Sequence, residues 1–465
     1  MAVWSEVKRT NLVHNNRFDA EFYRPEYLDL ENAIKSISHV RFGSIIETLT
    51  DYHANGSYEN LRNHVRLLDN GGYAYMVRTA DLEANDFEKD VKYIDEHAYH
   101  YLKKTQIFGY EILINKIGSA GKVYLMPKLD KPVSLGMNLF MIRTIKDVST
   151  FYIFAYFYSK YGRRYIERYV NGTVPLTITK DSVRSVLVPL LPKKLHDEIT
   201  LLVSKSMCYM NSSKELYHSA KDTFYKKAGF NKLNLIKTKS YGTSFSEIVI
   251  HNRIDADYYQ KHFKLMANYL DSISTELLGD LVNFTKGIEV GTQNYTNSGK
   301  LFIRVSNVKE TGIVTGNSDK YISEKLYNKL LEFKPKIGDI LLTKDGTLGE
   351  CYVVDSDVEG IISGGIMKMT LKSSSIPAEY LSLAINSTIC KLQIERVCSG
   401  ALIQHWKPKD ISALKIPILD KAIMEELSEL VISAKKAKKE SKRLLEQAKR
   451  KVEDFIERGY NDEIV

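Results

Sequence analysis

Hydrophobic residues along this chain follow two different periods, and the switch between them happens twice. In residues 1–192 and again in residues 231–417 they come in short β-rich runs, such as Glu111-Ile-Leu-Ile-Asn115, Asp339-Ile-Leu-Leu-Thr343 and residues 366–371, broken by Gly, Asn and Asp. Runs of this length between turn formers predict strands, and each stretch reads as a mixed α/β globular domain. After Val188-Pro189 and Ile416-Pro417 the period becomes helical. Leu195, Ile199, Leu202, Ser206, Met210, Ser213, Tyr217, Ala220 and Phe224 step by three and four, with Gly229 as a stop. Leu427, Leu430, Ala434, Ala437, Ser441, Leu444, Ala448, Val452 and Phe455 repeat the spacing before Gly459. The predicted organisation is thus a globular domain (1–192), a long helix (193–230), a second globular domain (231–417) and a second long helix (418–465).

The two halves are copies of one another. Asn16-Arg-Phe-Asp-Ala-Glu-Phe-Tyr23 recurs as Asn252-Arg-Ile-Asp-Ala-Asp-Tyr-Tyr259, and the match runs without a gap to Ser36-Ile-Ser38 and Ser272-Ile-Ser274. It continues in order through Phe42-Gly43 and Leu278-Gly279, the segments around Arg78 and Arg304, Glu111-Ile-Leu-Ile-Asn-Lys-Ile-Gly-Ser-Ala-Gly121 and Asp339-Ile-Leu-Leu-Thr-Lys-Asp-Gly-Thr-Leu-Gly349, and Ile166-Glu-Arg168 and Ile394-Glu-Arg396. An apolar period of 3.5 residues suits a coiled-coil seam. Two such helices alternating with two domains satisfy each other by packing antiparallel, which predicts an α+β dumbbell with the domains at its ends. The other arrangement consistent with the pattern lays each helix along its own domain.

Composition adds a charge argument. The 465 residues carry 66 Lys and Arg against 57 Asp and Glu, a net charge of +9 that favours a polyanionic partner, although solubility alone would account for it. The first residues lack the basic and apolar regions of a signal peptide, and the longest apolar run, residues 151–158, is far short of the ~20 needed to span a bilayer, so a cytoplasmic protein is expected. Cys208, Cys351, Cys390 and Cys398 have neither CxxC nor any metal-ligand spacing, so neither disulfides nor a metal site is expected.

Several residues have the chemistry of nucleic-acid contacts. Lys116 and Lys344 each stand just before the first glycine of a turn after a predicted strand, where a tight turn presents a cation, free backbone N–H groups and a hydroxyl, Ser119 or Thr347; Lys122 adds charge in the first copy alone. A solvated hairpin is the other reading of these turns. Arg78 with Asp81, and Arg304 with Asn307, stand at equivalent strand ends. Arginine can read guanine, aspartate cytosine and asparagine adenine, while an Arg–Asp pair inside the domain is the rival reading. Lys286, Gln293, Asn294 and Tyr295 mix a cation, amides and an aromatic ring in one loop, and Gln404 and His405 are further candidates.

Taken together, the Asp-Ala-Glu/Asp-aromatic-Tyr start of each copy, the run from Gly338 to Gly349, Gly172-Thr followed by Thr179-Lys-Asp and Val188-Pro-Leu-Leu-Pro192, and the order domain, helix, domain, helix resemble the specificity subunit of type I restriction-modification systems over essentially the whole chain. The resemblance implies two target-recognition domains, each reading half of a split, asymmetric duplex site. It also implies helices that set their separation and hold two DNA methyltransferase subunits, with restriction and translocase subunits attached. The chain departs from its own repeat where Gln404-His-Trp406 replaces Leu176-Thr-Ile178, and in a longer first-copy loop at residues 53–72.

The motifs of catalysis are missing from the sequence. There is no Gly-rich S-adenosylmethionine loop with an Asn/Asp-Pro-Pro-aromatic stretch, no phosphate loop for ATP, and no convincing Pro-Asp…Glu-x-Lys cluster for metal-dependent cleavage. S-adenosylmethionine, ATP and Mg²⁺ are accordingly expected on partner subunits, with no cofactor in this chain. An orphan or inhibitory DNA-binding protein and a duplicated protein adaptor are the alternatives.

Overall fold

The computed structural model describes residues 4–10, 12, 17–88, 90–238, 240–316, 318–398 and 405–458. Asn16, Gln404 and the stop at Gly459 lie outside them. The chain divides into two compact units, Met1–Met210 with Lys439–Val465, and Asn211–Lys438.

In the first unit, Pro25–Lys35 forms a helix with proline in its first turn, where the missing N–H costs nothing. Two four-stranded sheets follow. One has Leu139–Thr144 between Ile46–Asp51 and Ile112–Asn115, with Val123–Leu125 outside the latter, all antiparallel. The other pairs Ala74–Val77 with Lys92–Ile94 on one side and, in parallel, with Val133–Leu135 on the other; Gln106–Ile107 forms its far edge. His39–Arg41 and Leu187–Pro189 pair antiparallel. Strands such as Ile112–Asn115 are buried on both faces, which is why they read as continuous apolar runs rather than alternating ones.

The second unit repeats the antiparallel sheet and the terminal strand pair, and three of the four strands of the other sheet. Val282–Lys286, Ile366–Leu371, Ile340–Thr343 and Cys351–Val353 form the antiparallel sheet in that order. Lys300–Ile303 pairs antiparallel with Lys320–Ile322 and parallel with Gly360–Ile362, and Thr275–Leu277 pairs with Lys415–Pro417. Thus the fold is a duplicated mixed α/β domain, and among the described residues the first copy alone has a fourth strand in its second sheet.

The helical periods appear as Lys193–Lys227 and Lys421–Arg458, of 35 and 38 residues. Gly229, with φ of 73°, adopts the left-handed conformation that ends the first. Within the first unit Leu195, Ile199 and Val203 share a core with Ala448, Val452 and Phe455. Ser206 Oγ donates to the Ser441 carbonyl at 2.8 Å, and Lys451 pairs with Glu198 at 3.0 Å. Within the second unit Ala220 and Phe224 share a core with Met424, Leu427 and Val431, and Ser213 Oγ donates to the Ala434 carbonyl at 2.6 Å. In both units residue numbers rise along one helix as they fall along the other, so the packing is antiparallel. The small residues of the seam mark the close approaches. Both cores also include residues of the globular domains, so the helices pack on each other and on the sheets. Val203 and Val431 are more deeply buried than the neighbouring seam positions Leu202 and Leu430.

Candidate nucleic-acid interface

The two glycine turns have the same architecture. In the first copy the turn joins Ile112–Asn115 to Val123–Leu125, closed by Gly121 N–H to the Asn115 carbonyl at 2.9 Å. In the second, Gly349 N–H donates to the Thr343 carbonyl at 2.8 Å. Gly118, Gly121, Gly346 and Gly349 all have positive φ, between 67° and 85°. A second segment braces each turn from the side: Ile178 N–H donates to the Lys116 carbonyl at 3.1 Å, and Trp406 N–H to the Lys344 carbonyl at 2.9 Å. Ile117 bridges Thr177, and Asp345 bridges His405. Thr177-Ile178 and His405-Trp406 are therefore equivalent positions, with Ile178 and Trp406 both buried. The tips, Gly118-Ser119 and Gly346-Thr347, are exposed.

The turn lysines are not the exposed cations that the sequence suggests. Lys116 Nζ lies 3.1 Å from Asp51 Oδ2, and Lys180 Nζ lies 2.9 Å from Asp51 Oδ1, with the Asp51 side chain only 13% exposed. Burial alone would raise the Asp51 carboxyl pKa, but hydrogen bonds from Lys180 and Lys116 outweigh it and hold the group below the ordinary carboxylate range. In the second copy Lys344 Nζ meets Asp345 Oδ2 at 2.6 Å, and His405 Nδ1 meets Asp345 Oδ1 at 2.8 Å. Again burial pushes the Asp345 carboxyl up, and Lys344 and His405 together bring it below its usual value. Lys122 pairs with Glu83 at 3.1 Å, half exposed, with its ammonium 5.7 Å from the Tyr124 ring centroid.

Asp81 and Asn307 cap the backbone at Arg78 and Arg304. Asp81 is buried and its Oδ2 accepts from Arg78 N–H at 2.8 Å, while Arg78 Nη2 donates to Asp81 Oδ1 at 2.7 Å and to the Asp90 carbonyl at 2.6 Å. The Asp81 hydrogen bond raises the Arg78 pKa further. Asn307 takes the same place: its Oδ1 accepts from Arg304 N–H at 2.9 Å. Its amide donates to the Val314 carbonyl at 2.9 Å and to Asp319 Oδ1 at 2.8 Å. Arg304 Nη2 donates to the Ser318 carbonyl. The expectation that Asp81 and Asn307 face a base edge is corrected, because both side chains are buried and satisfied within their domain.

The loop candidates remain at the surface. Lys286, Gln293 and Asn294 are exposed. Asn294 Nδ2 donates to the Val290 carbonyl at 2.5 Å, and Tyr295 packs its ring 5.7 Å from that of Phe302. His405 is 67% exposed and Gln404 lies outside the described residues. Lys286 ends the strand that lies two strands across the sheet from Ile340–Thr343, on the rung of Met367 and Leu342. Sequence reasoning missed Asp51, Lys180 and Lys407. The repeat aligned without a gap sets Asp51 against Gly287, but a β-bulge between Ile46 and Thr48 shifts the ladder by one residue and sets it against Lys286.

Among the described residues no group of three or more His, Cys, Asp or Glu could hold a metal ion, and no helix is long and apolar enough to cross a membrane. Cys351, Cys390 and Cys398 are buried, and burial pushes the first two thiols up to about 12.

No protein-family model and no curated protein matches the chain. Among solved structures it is similar to the S subunit of a type I restriction-modification system from M. genitalium, at 14% identity and a TM-score of 0.42, covering 91% of this chain and 96% of that one. It is similar also to the HsdS subunit from Thermoanaerobacter tengcongensis, at 12% identity and a TM-score of 0.27, covering 91% and 97%. A third likeness, to the type IIG restriction endonuclease BpuSI, has 10% identity and a TM-score of 0.30, and covers 44% of this chain and 35% of the other.

Proposed function

We propose that this chain is a non-catalytic subunit that reads duplex DNA, one copy of the domain for each half of a split, asymmetric site, and that it confers specificity on methyltransferase and restriction subunits of a type I system. One observation carries the reading. The same braced glycine turn occurs in both copies, and the side chains around it differ: Ile117, Thr177 and Asp51 in one, Asp345, His405 and Lys286 in the other. A constant scaffold under variable polar groups suits two readers of different sequences. Ser119, Lys122, Lys286, Gln293, Asn294, Tyr295, Thr347 and His405 are the candidate contacts. Lys116 and Lys344 act behind them by shaping the turn. S-adenosylmethionine, ATP and Mg²⁺ belong to the partner subunits in this reading.

The test is selection of binding sites by the full chain from a random duplex library. Enrichment of two short motifs at a fixed spacing is expected, with affinity falling steeply as salt rises. No enrichment together with a flat salt dependence overturns the reading. An adaptor that binds only proteins is the second reading. It is favoured by the helix Phe245–His251, where Phe245, Val249 and Ile250 are 79%, 62% and 75% exposed. An adaptor would enrich no DNA while still retaining protein partners on purification.

A further inference from the structure

His405 is anchored through its backbone and through one edge of its ring. Its neighbour Trp406 is buried in the second unit's core, and the Trp406 N–H donates to the Lys344 carbonyl at 2.9 Å. The His405 backbone bridges Asp345, and His405 Nδ1 lies 2.8 Å from Asp345 Oδ1. The rest of the side chain is exposed beside the glycine turn. A ring fixed at one edge and open at the other has little freedom left to lose on binding.

The partner decides which ring nitrogen carries the proton. Asp345 is ionised, because burial pushes its carboxyl up but the hydrogen bonds from Lys344 and His405 bring it below its usual range. An ionised carboxylate only accepts, so the hydrogen between the two residues sits on Nδ1, which donates to Asp345. In the neutral imidazole Nε2 is then a bare acceptor. Lys344 Nζ takes the other oxygen, Asp345 Oδ2, at 2.6 Å and holds the carboxylate in place. Glu289, whose Oε1 would lie 2.4 Å from a Cβ on Gly364, is an acceptor as well and offers neither ring nitrogen a proton. In the first copy Thr177 stands in the place of His405, bridged to Ile117, and its hydroxyl can donate or accept.

A base that meets Nε2 must bring a donor. In the major groove the donors are the exocyclic amines, N6 of adenine and N4 of cytosine, whereas guanine and thymine present acceptors in that role. We infer, on the DNA reading above, that His405 is a specificity-determining residue of the second copy, reading the exocyclic amine of adenine or cytosine at one position of one half-site, and that Asp345 is the positioning residue that sets its tautomer. Asp345→Asn reverses the polarity of the contact. Lys344 can only donate, so the Asn oxygen turns to it and the Asn amide faces His405. Nδ1 then accepts, the proton moves to Nε2, and Nε2 becomes a donor that suits guanine or thymine.

The experiment has two arms, both on the full chain, with thermal melts to confirm folding. The first uses no DNA: long-range ¹H–¹⁵N spectra of ¹⁵N-histidine-labelled protein are recorded at about pH 8, where free imidazole is neutral, with His405→Ala assigning the resonance. Wild-type His405 should carry its proton on Nδ1, and Asp345→Asn should move it to Nε2. A wild-type proton on Nε2 overturns the inference. The second arm selects sites from a random duplex library with wild type, His405→Ala and Asp345→Asn. Wild type should choose adenine or cytosine at one position that His405→Ala relaxes by roughly 3- to 10-fold, with the other half-site untouched. Asp345→Asn should invert the choice at that position to guanine or thymine. An unchanged profile for His405→Ala, or a folded Asp345→Asn without the inversion, overturns the role of His405 and leaves the DNA reading standing. If Asp345→Asn fails to fold, the wild-type spectrum and His405→Ala decide. No enrichment of any motif by wild type overturns the DNA reading and the base contact with it.

Discussion

A single carboxylate sets the electrostatics of the first glycine turn. Asp51 is mostly buried between two ammonium groups, so Asp51→Asn leaves Lys116 and Lys180 without their shared anion and should cost about 3 kcal/mol at neutral pH. The folded carboxyl titrates below its unfolded value, because the two lysines outweigh the burial that would otherwise raise it. Its contribution is therefore complete above the unfolded carboxyl range, around pH 4, and is lost as the pH falls through the folded value. Urea unfolding of both proteins at pH 7 and pH 3 checks this: the difference should be smaller at pH 3 than at pH 7, and an equal difference at both would exclude the ion cluster as its source. Neither partner of this cluster betrays itself locally. Lys116 and Asp51 are 65 residues apart, and Lys180 and Asp51 are 129 apart.

At the level of the element, the glycine turns are legible in the sequence because their requirement is local. A chain reversing within a few residues after a strand needs positive φ, and glycine supplies it. What differs along one turn is the space around each glycine. A Cβ at Gly349 would lie 2.5 Å from Ile394 Cδ1, whereas one at Gly346 would meet nothing within 4 Å. Gly346→Ala should therefore cost about 1 kcal/mol, from backbone conformation alone, and Gly349→Ala about 3 kcal/mol because crowding is added. Denaturant midpoints that fall equally for both would contradict the packing of the Thr388–Cys398 helix against this turn. The helices show the same division between local and distant causes. Their period fixes which face is buried, while the serines at 206, 213 and 441 take their roles from carbonyl and hydroxyl partners on the opposite helix.

At the scale of the whole molecule, each unit has its own core, and the long helices contribute different residues to each. Phe224 is 1% exposed among Phe230 and Tyr380 in the second unit. Phe224→Ala should remove about 3 to 5 kcal/mol of stability there. Amide exchange provides the check: protection should fall in Ile340–Thr343 and Ile366–Leu371 and persist in Ile112–Asn115, whose side chains belong to the other unit's clusters. Equal loss in all three strands would contradict separate cores.

The sequence by itself determined the duplication, the mixed α/β character of both copies, the two long helices with their small-residue seam, and the glycine turns. Each of these follows from periodicity or backbone conformation, which neighbouring residues impose. Only the tertiary structure decided which polar side chains are free to meet a ligand. It buried Asp81 and Asn307 as caps, paired Lys116 and Lys344 with aspartates, and, through one bulge between Ile46 and Thr48, set Lys286 rather than Gly287 in the place of Asp51. Charge pairing and burial depend on strands distant in sequence and on ladder register, and a one-residue shift changes which side chain stands at each rung.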